Sequence, residues 1–335
     1  MTHPRLSLAL QGADLLPASG AVLFLGPGAA TDLSDLPQEQ AVIVQGFRPD
    51  HDALAARGWT VVPTRAGATG EFVAAAVFLP RARGAARALV AEAASRVVAG
   101  GPVWIDGQKT DGIDSMLKDI RARTAVSAPI AKAHGMIFRF DAGPHFDDWR
   151  AADLHPVPGF VTRPGVFSAE KVDHGSALLA EALPERLPAK VADLGAGWGW
   201  LAAQILARPG VEELHLIEAD RVAIDCARRN IDDPRARFHW EDATRFRPGT
   251  PMDAVVMNPP FHSGRAAEPA LGAAFIAAAA AMLAPSGRLW MVANRHLPYE
   301  AVLARHFREV AEIGGDGGFK LLMAARPVAA PRPRR

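Results

Sequence analysis

The sequence predicts an α/β chain made of two tandem copies of one mostly parallel, doubly wound sheet, the second closed by an antiparallel hairpin. Three observations carry this. Apolar runs of strand length alternate with helical periodicity through most of the 335 residues, the pattern of a parallel sheet covered on both faces. The same rhythm occurs twice, with polar residues at matching points, as a duplication leaves it. Two last strand-like runs flank a Gly-rich turn.

In chain order, the first copy opens with a strand over 21–25 that runs into Gly26-Pro27-Gly28, and a second over 41–44 that runs into Gln45-Gly46. A short strand over 60–62 follows a helical stretch, and a strand over 72–79 leads into a helix over 83–98. The strand over 102–105 is followed by Asp106-Gly107-Gln108-Lys109. In the second copy a strand over 190–194 breaks at Gly195 and is followed by a helix over 200–207. A strand over 213–217 ends in Glu218 before a helix over 221–230. The next, over 236–240, ends in Glu241-Asp242, and that over 253–257 is stopped by Asn258-Pro259-Pro260. A long helix over 268–283 and a strand over 287–292 follow; the Asn294-Arg295 pair matches Gln108-Lys109. The hairpin takes 309–313 and 319–325. Periodicity breaks over 147–158, so the expected domains are a degenerate copy over 1–150 and a second over 151–328. A Pro/Arg-rich tail over 329–335 is expected to be disordered.

Apolar residues make up 49% of the chain, enough for two cores, and charged residues 22%, with a net charge of +1. Any nucleic-acid contact must therefore rest on local features rather than global basicity. The single cysteine, Cys226, excludes an internal disulfide and a Cys-based zinc cluster, so a reducing cytoplasm and no metal are expected. No signal peptide is expected, and the Ala-rich run over 270–284, ended by Pro285, is short of the ~20 residues that span a bilayer.

Asp193-Leu194-Gly195-Ala196-Gly197-Trp198-Gly199 sits between a strand and a helix, where glycines let a ligand approach the backbone closely. Such turns serve several nucleotide cofactors, but three details favour S-adenosylmethionine. The spacing is Gly-x-Gly-x-Gly with Asp193 two residues ahead, and no Lys-Ser/Thr pair marks a phosphate loop. Glu218 ends the second strand, where a carboxylate accepts ribose hydroxyls, and Asp242 ends the third, suited to an adenine amine. A cofactor that carries a sulfonium and an ammonium but no phosphate suits acidic strand ends, whereas a dinucleotide would bring its pyrophosphate to the helix N-terminus.

Asn258-Pro259-Pro260-Phe261 closes the fourth strand at the same sheet edge. Two prolines stiffen the backbone, so the Asn258 side-chain oxygen and the Pro259 carbonyl form a fixed pair of acceptors for the two N–H groups of a planar amine. Held so, the nitrogen aims its lone pair at a methyl group. Phe261 offers a face for stacking a base, and His262 a place in the substrate pocket.

At these residues the chain resembles the guanine-N2 methyltransferases of ribosomal RNA. The resemblance covers roughly 164–319. It includes Pro164-Gly165-Val166-Phe167-Ser168, then Asp173-His174-Gly175-Ser176; Asn258-Pro259-Pro260-Phe261-His262 with Gly264; Val292-Ala293-Asn294 with Leu297-Pro298-Tyr299; and Phe319-Lys320. It implies two homologous Rossmann-like methyltransferase domains, the first without a cofactor site. Asp193, Gly195, Gly197, Glu218, Asp242 and Asn258 would bind S-adenosylmethionine. Asn258, Pro259 and Phe261 would carry catalysis, with Pro260, Phe261 and His262 at the guanine. The partner would be ribosomal RNA, 16S before 23S, free or in a subunit, with no obligate protein partner. The chain departs from the family in the bulky Trp198 and Trp200 of the glycine turn and in Ser-Ala-Glu-Lys-Val over 168–172, which lacks an acidic-glycine pair. Other readings are a protein-glutamine or adenine-N6 methyltransferase, which usually has Tyr at the place of Phe261, and a non-catalytic RNA-binding or assembly protein. Between Lys109 and Arg139 six basic residues face three aspartates, which fits an RNA patch or an ion-paired surface equally.

Overall fold

The computed structural model describes residues 5–10, 16–17, 19–34, 36–260, 262–263, 266–267 and 269–328. It divides into two compact units. The first takes Met1–Leu154 with Arg163–Gly165, and the second His155–Thr162 with Val166–Arg335.

The first unit contains α1 (Arg5–Leu10), β1 (Ala21–Leu25), β2 (Ala41–Val44), α2 (Arg48–Ala56), β3 (Val61–Val62), β4 (Phe72–Phe78), α3 (Arg83–Arg96), β5 (Pro102–Gln108), α4 (Ile113–Arg121), β6 (Ile130–Lys132) and β7 (Gly135–Asp141). The second contains α5 (His174–Ala182), β8 (Lys190–Leu194), α6 (Trp200–Leu206), β9 (Glu213–Glu218), α7 (Arg221–Asn230), β10 (Ala236–Trp240), β11 (Met252–Met257), β12 (His262–Ser263), β13 (Ala266–Ala267), α8 (Pro269–Met282), β14 (Leu283–Asn294), α9 (Tyr299–His306), β15 (Phe307–Gly315) and β16 (Phe319–Pro327). The sheets run β3-β2-β1-β4-β5-β7-β6 and β10-β9-β8-β11-β14-β16-β15. Counted within each seven-stranded sheet, with β12 and β13 forming a separate two-stranded ribbon, that is one order, 3-2-1-4-5-7-6, twice. Five strands are parallel, and the last two form an antiparallel closing pair.

Strands covered on both faces must be apolar throughout, and the central ones are. In β11, Val255 and Met257 pack into one core while Ala254 and Val256 pack into the other. Burial of each such Val or Met side chain contributes roughly 1.5–3 kcal/mol. Helix α8 is rich in alanine, the best helix former, with 8 of its 14 residues, and closes the first of these cores with Phe275, Ile276 and Met282.

Two expectations need correction at their edges. Strand β14 begins at Leu283, not at 287, because Met252 of β11 already pairs with Leu283 before a register shift that absorbs Pro285. The first copy also has the closing hairpin, beyond the last strand expected there: Ile130–Lys132 pairs antiparallel with Gly135–Asp141, which in turn pairs antiparallel with Pro102–Gln108. The 329–335 tail lies outside the described residues. Among the described residues, no helix is long and apolar enough to cross a membrane.

Register shows how the first copy differs. Leu25 pairs with Val44 and Val77, as Leu194 pairs with Ile217 and Met257. Gly26, Gln45 and Phe78 thus occupy the places of Gly195, Glu218 and Asn258, and Phe24 that of Asp193. Two carboxylates and an amide have given way to two aromatics and a glutamine. Gln45 Nε2 donates to the Pro27 carbonyl at 2.7 Å, so it fastens the turn and carries no charge for a ligand. The match of Gln108-Lys109 with Asn294-Arg295 holds in register too, since Val77 pairs with Ile105 and Met257 with Met291.

Candidate active site

In an open parallel sheet the ligand crevice forms where neighbouring connections leave in opposite directions, here between the carboxyl ends of β8 and β11. The glycine turn follows β8. Gly195 stands at φ 77°, a left-handed conformation that costs other residues roughly 1–2 kcal/mol, and its N–H donates to the Ile217 carbonyl. Gly199, at φ 88°, opens α6, and a Cβ there would stand 2.9 Å from Ile231 Cδ1; only glycine lets the turn lie against α7.

Glu218 ends β9 with its two oxygens divided. Oε2 accepts the Gly197 N–H at 2.9 Å and Oε1 the Asp220 N–H at 2.8 Å. The residue keeps some exposure, but its carboxyl is deep enough that burial pushes it up to about 7 against the pull of these donors. Asp193, two residues before Gly195, is 1% exposed, and neither carboxyl oxygen has a partner among the described residues. Burial, helped by the nearby Glu218 charge, raises it to about 8. A buried carboxyl without a donor is costly unless something arrives to pair with it. A ligand with an ammonium and a sulfonium supplies what this pair lacks, so the residues fit S-adenosylmethionine. Glu218→Ala is therefore expected to weaken cofactor binding about tenfold or more, read by calorimetric titration. Unchanged affinity would leave Glu218 only the task of fastening the turn.

The cleft itself is lined by Gly195, Ala196, Gly197, Trp198, Trp200, Leu201, Asn258, Asp173, Ser176, Phe167 and Ser168. Its enclosed part is about 50 Å³, below the roughly 300–1,000 Å³ of most ligand pockets, so a nucleoside has to lie along the open lip as well. The Trp198 indole does not fill the opening. It is 5% exposed and packs into Val166, Ala223 and Cys226, edge to face with Phe160 at 5.5 Å. Asn230 bridges the Trp198 carbonyl to Val161 and fixes the turn behind it. The bulky residue in the glycine turn is thus a wedge into the core, and Cys226 is a buried small side chain beside it.

Asn258 follows β11. Its Nδ2 donates to Asp173 Oδ2 at 2.8 Å and to Ser176 Oγ at 2.9 Å. A carboxylate only accepts, so this contact assigns the amide: nitrogen toward Asp173, oxygen away from it. Pro259 is buried and Pro260 exposed. Phe261 lies outside the described residues; His262 is described only as backbone, paired with Ala267. Asp242 sits two residues beyond β10, and its Oδ1 accepts the Thr244 N–H at 2.8 Å and hydroxyl at 2.6 Å. It caps a turn and, like Asp193 and Glu218, lies outside the residues that line the enclosed part of the cleft. The structure thus gathers Asp193, Gly195, Gly197, Glu218 and Asn258 at one sheet edge, with Asp242 at the neighbouring strand end. Sequence reasoning gave no role to Asp173, Ser176 or the 66% exposed Phe167 on the rim.

Elsewhere the ion-paired reading of the 109–139 segment gains support. Arg123 pairs with Asp148 and stacks on Trp149, while Asp119 takes Arg83 and Arg87. Among the described residues no group of three or more His, Cys, Asp or Glu is placed to hold a metal ion.

Residues 158–323 match the methyltransferase small domain family. The chain is 30% identical over 318 residues to ribosomal RNA small subunit methyltransferase C of Pseudomonas aeruginosa (strain LESB58), with 91% of this chain and 94% of that protein covered. It is 28% identical to the protein of that name from Hahella chejuensis, over 92% and 95% of the two chains. Among solved structures it resembles the T. thermophilus 16S rRNA N2 G1207 methyltransferase in complex with AdoMet and guanosine. The TM-score is 0.80 at 25% identity, over 97% of this chain and 92% of that one.

Proposed function

Because the chain belongs to the ribosomal RNA small subunit methyltransferase C family, we infer that it methylates the exocyclic N2 amine of a guanine in 16S ribosomal RNA, with S-adenosylmethionine as donor. The observation that carries the reading is the placement of Asn258 beside the glycine turn. A Cβ on Gly195 would stand 3.9 Å from the Asn258 carbonyl, so the substrate acceptor and the cofactor turn share one crevice.

When bound, S-adenosylmethionine supplies an activated methyl group, and Asp193, Glu218 and the Gly195–Gly197 backbone hold it. The chain's own part is to place the nucleophile. The Asn258 oxygen and the Pro259 carbonyl accept the two N–H groups of the guanine amine, which fixes the nitrogen and turns its lone pair toward the donor. The methylated amine is acidic and releases its proton to water, so no strong base is needed. Phe261 stacks the extruded base and His262 and Pro260 shape its pocket. The first unit, with Phe24, Gln45 and Phe78 at the matching positions, serves RNA docking or support rather than cofactor binding. The protein works in the cytoplasm, where its substrate is assembled.

Transfer of labelled methyl to small subunits and to naked 16S RNA, followed by nucleoside digestion, tests this. N2-methylguanosine is expected. Label in N6-methyladenosine or in protein glutamine would overturn the assignment.

A further inference from the structure

Asn258 has a problem that its chemistry does not solve alone. The two ends of a primary amide are nearly the same shape, and a half-turn about the last side-chain bond exchanges acceptor for donors. An amine that offers two N–H groups is held by the oxygen and repelled by the NH2. Something must choose between the orientations before substrate arrives.

The geometry points to Asp173 as the residue that makes this choice: a positioning residue for methyl transfer, acting through Asn258 with Ser176 as its second arm. This rests on the reading of Asn258 as the amine acceptor. Asp173 Oδ2 accepts two hydrogen bonds, one from the Ser176 N–H at 2.8 Å and one from Asn258 Nδ2 at 2.8 Å. The first is the N-cap of α5, which fixes the carboxylate on the helix end. The second, with Ser176 Oγ at 2.9 Å, engages both amide hydrogens and leaves the oxygen end for the substrate. A turned amide would set its oxygen against the Asp173 oxygen, acceptor facing acceptor, so the fixed acceptor selects the productive state.

The surroundings hold the selector still. Gly175 between its two arms is buried, and a Cβ there would stand 3.2 Å from Asp173 Oδ2 and 3.3 Å from the Phe319 ring. His174 packs on Phe319 and bonds Asp316 at 2.6 Å, which ties the start of α5 to the β15–β16 turn. Asp173, Ser176 and Phe167 all line the same cleft as Asn258.

The rival role is plain helix capping, and substitutions separate the two. Serine caps as well as aspartate but is too short to reach Asn258. Asparagine keeps an oxygen where Oδ2 stands, so it keeps both bonds without the charge. Asp173→Ser is expected to lower kcat about 10- to 100-fold, with the cofactor KM and the melting temperature little changed. Asp173→Asn should recover most of the loss, and Ser176→Ala should fall between. In an Asn258→Ala background, Asp173→Ser should cost nothing further under single-turnover conditions. Equal activity of Asp173→Ser and the parent, or a loss that persists undiminished without Asn258, would overturn the proposal. A fully active Asn258→Ala would instead bring down the reading of Asn258 on which it stands.

Discussion

Asn258→Ala should lower kcat by roughly 100-fold or more, the order lost when one preorganised polar group is taken from a transition state, while cofactor affinity stays within a few-fold. The reason lies in where charge develops. As the guanine amine attacks, its nitrogen becomes positive and its N–H groups become stronger donors, so an acceptor held in place binds the transition state more tightly than the ground state. Asn258 is held in place: both amide hydrogens are engaged by Asp173 and Ser176, and Pro259 stiffens the next peptide. The two carboxylates that meet the cofactor's positive charge, Asp193 and Glu218, come from β8 and β9 and not from that side chain. Asn258→Asp makes a sharper companion. It would set a carboxylate against the Asp173 carboxylate, and its turnover should fall about as far as that of the alanine variant. Single-turnover methyl transfer with calorimetric cofactor binding checks both. A loss that appears in cofactor affinity and not in kcat would move Asn258 from the amine to the cofactor.

The parts of this site that were legible in the sequence are those whose chemistry is local. The Gly-x-Gly-x-Gly turn needs glycines wherever it occurs, and Gly195 and Gly197 do take positive φ. Glu218 and Asn258 could be placed because a strand ended at each, and parallel strands bring such ends to one edge. The fold was legible for the same reason: apolar runs buried on both faces leave few alternatives. The illegible parts join distant segments. Nothing in Asp173 announces a bond to a residue 85 positions later, and its N-cap role would have been sufficient cause for an aspartate there. Trp198 stood out only as a bulky departure in the turn, because sequence does not say which way an indole leaves a glycine-rich backbone. The structure turns it into the α7 core. Asp242 was placed, like Glu218, by its strand end, and Thr244 engages one of its oxygens.

Asp193→Asn should weaken cofactor binding roughly 10- to 100-fold, in line with the ~1.5–3 kcal/mol of a hydrogen bond to a charged group, and should flatten its pH dependence. In the cofactor-free protein, burial lifts Asp193 to about 8 and Glu218 to about 7. Both are therefore largely protonated at pH 6 and ionise as the pH passes through 7 and 8. A cationic ligand prefers the ionised pair, so affinity for S-adenosylmethionine should rise with pH across that window and level off above it. The fold experiences the opposite slope. Above about pH 5.5 an unfolded chain has released these two protons, while the folded apo protein still holds them until the pH nears 7. Fewer protons on the unfolded state mean that stability falls as pH rises toward 8. Asparagine at 193 cannot ionise, so the melting temperature of the apo variant should gain on that of the parent as the pH is raised from 5 to 9. Saturating cofactor should reverse the order by favouring the parent. Melting curves at several pH values, with and without cofactor, read both effects at once. An apo parent whose stability stays level with that of Asp193→Asn from pH 6 to pH 8 would show that the carboxyl is already ionised before any ligand binds.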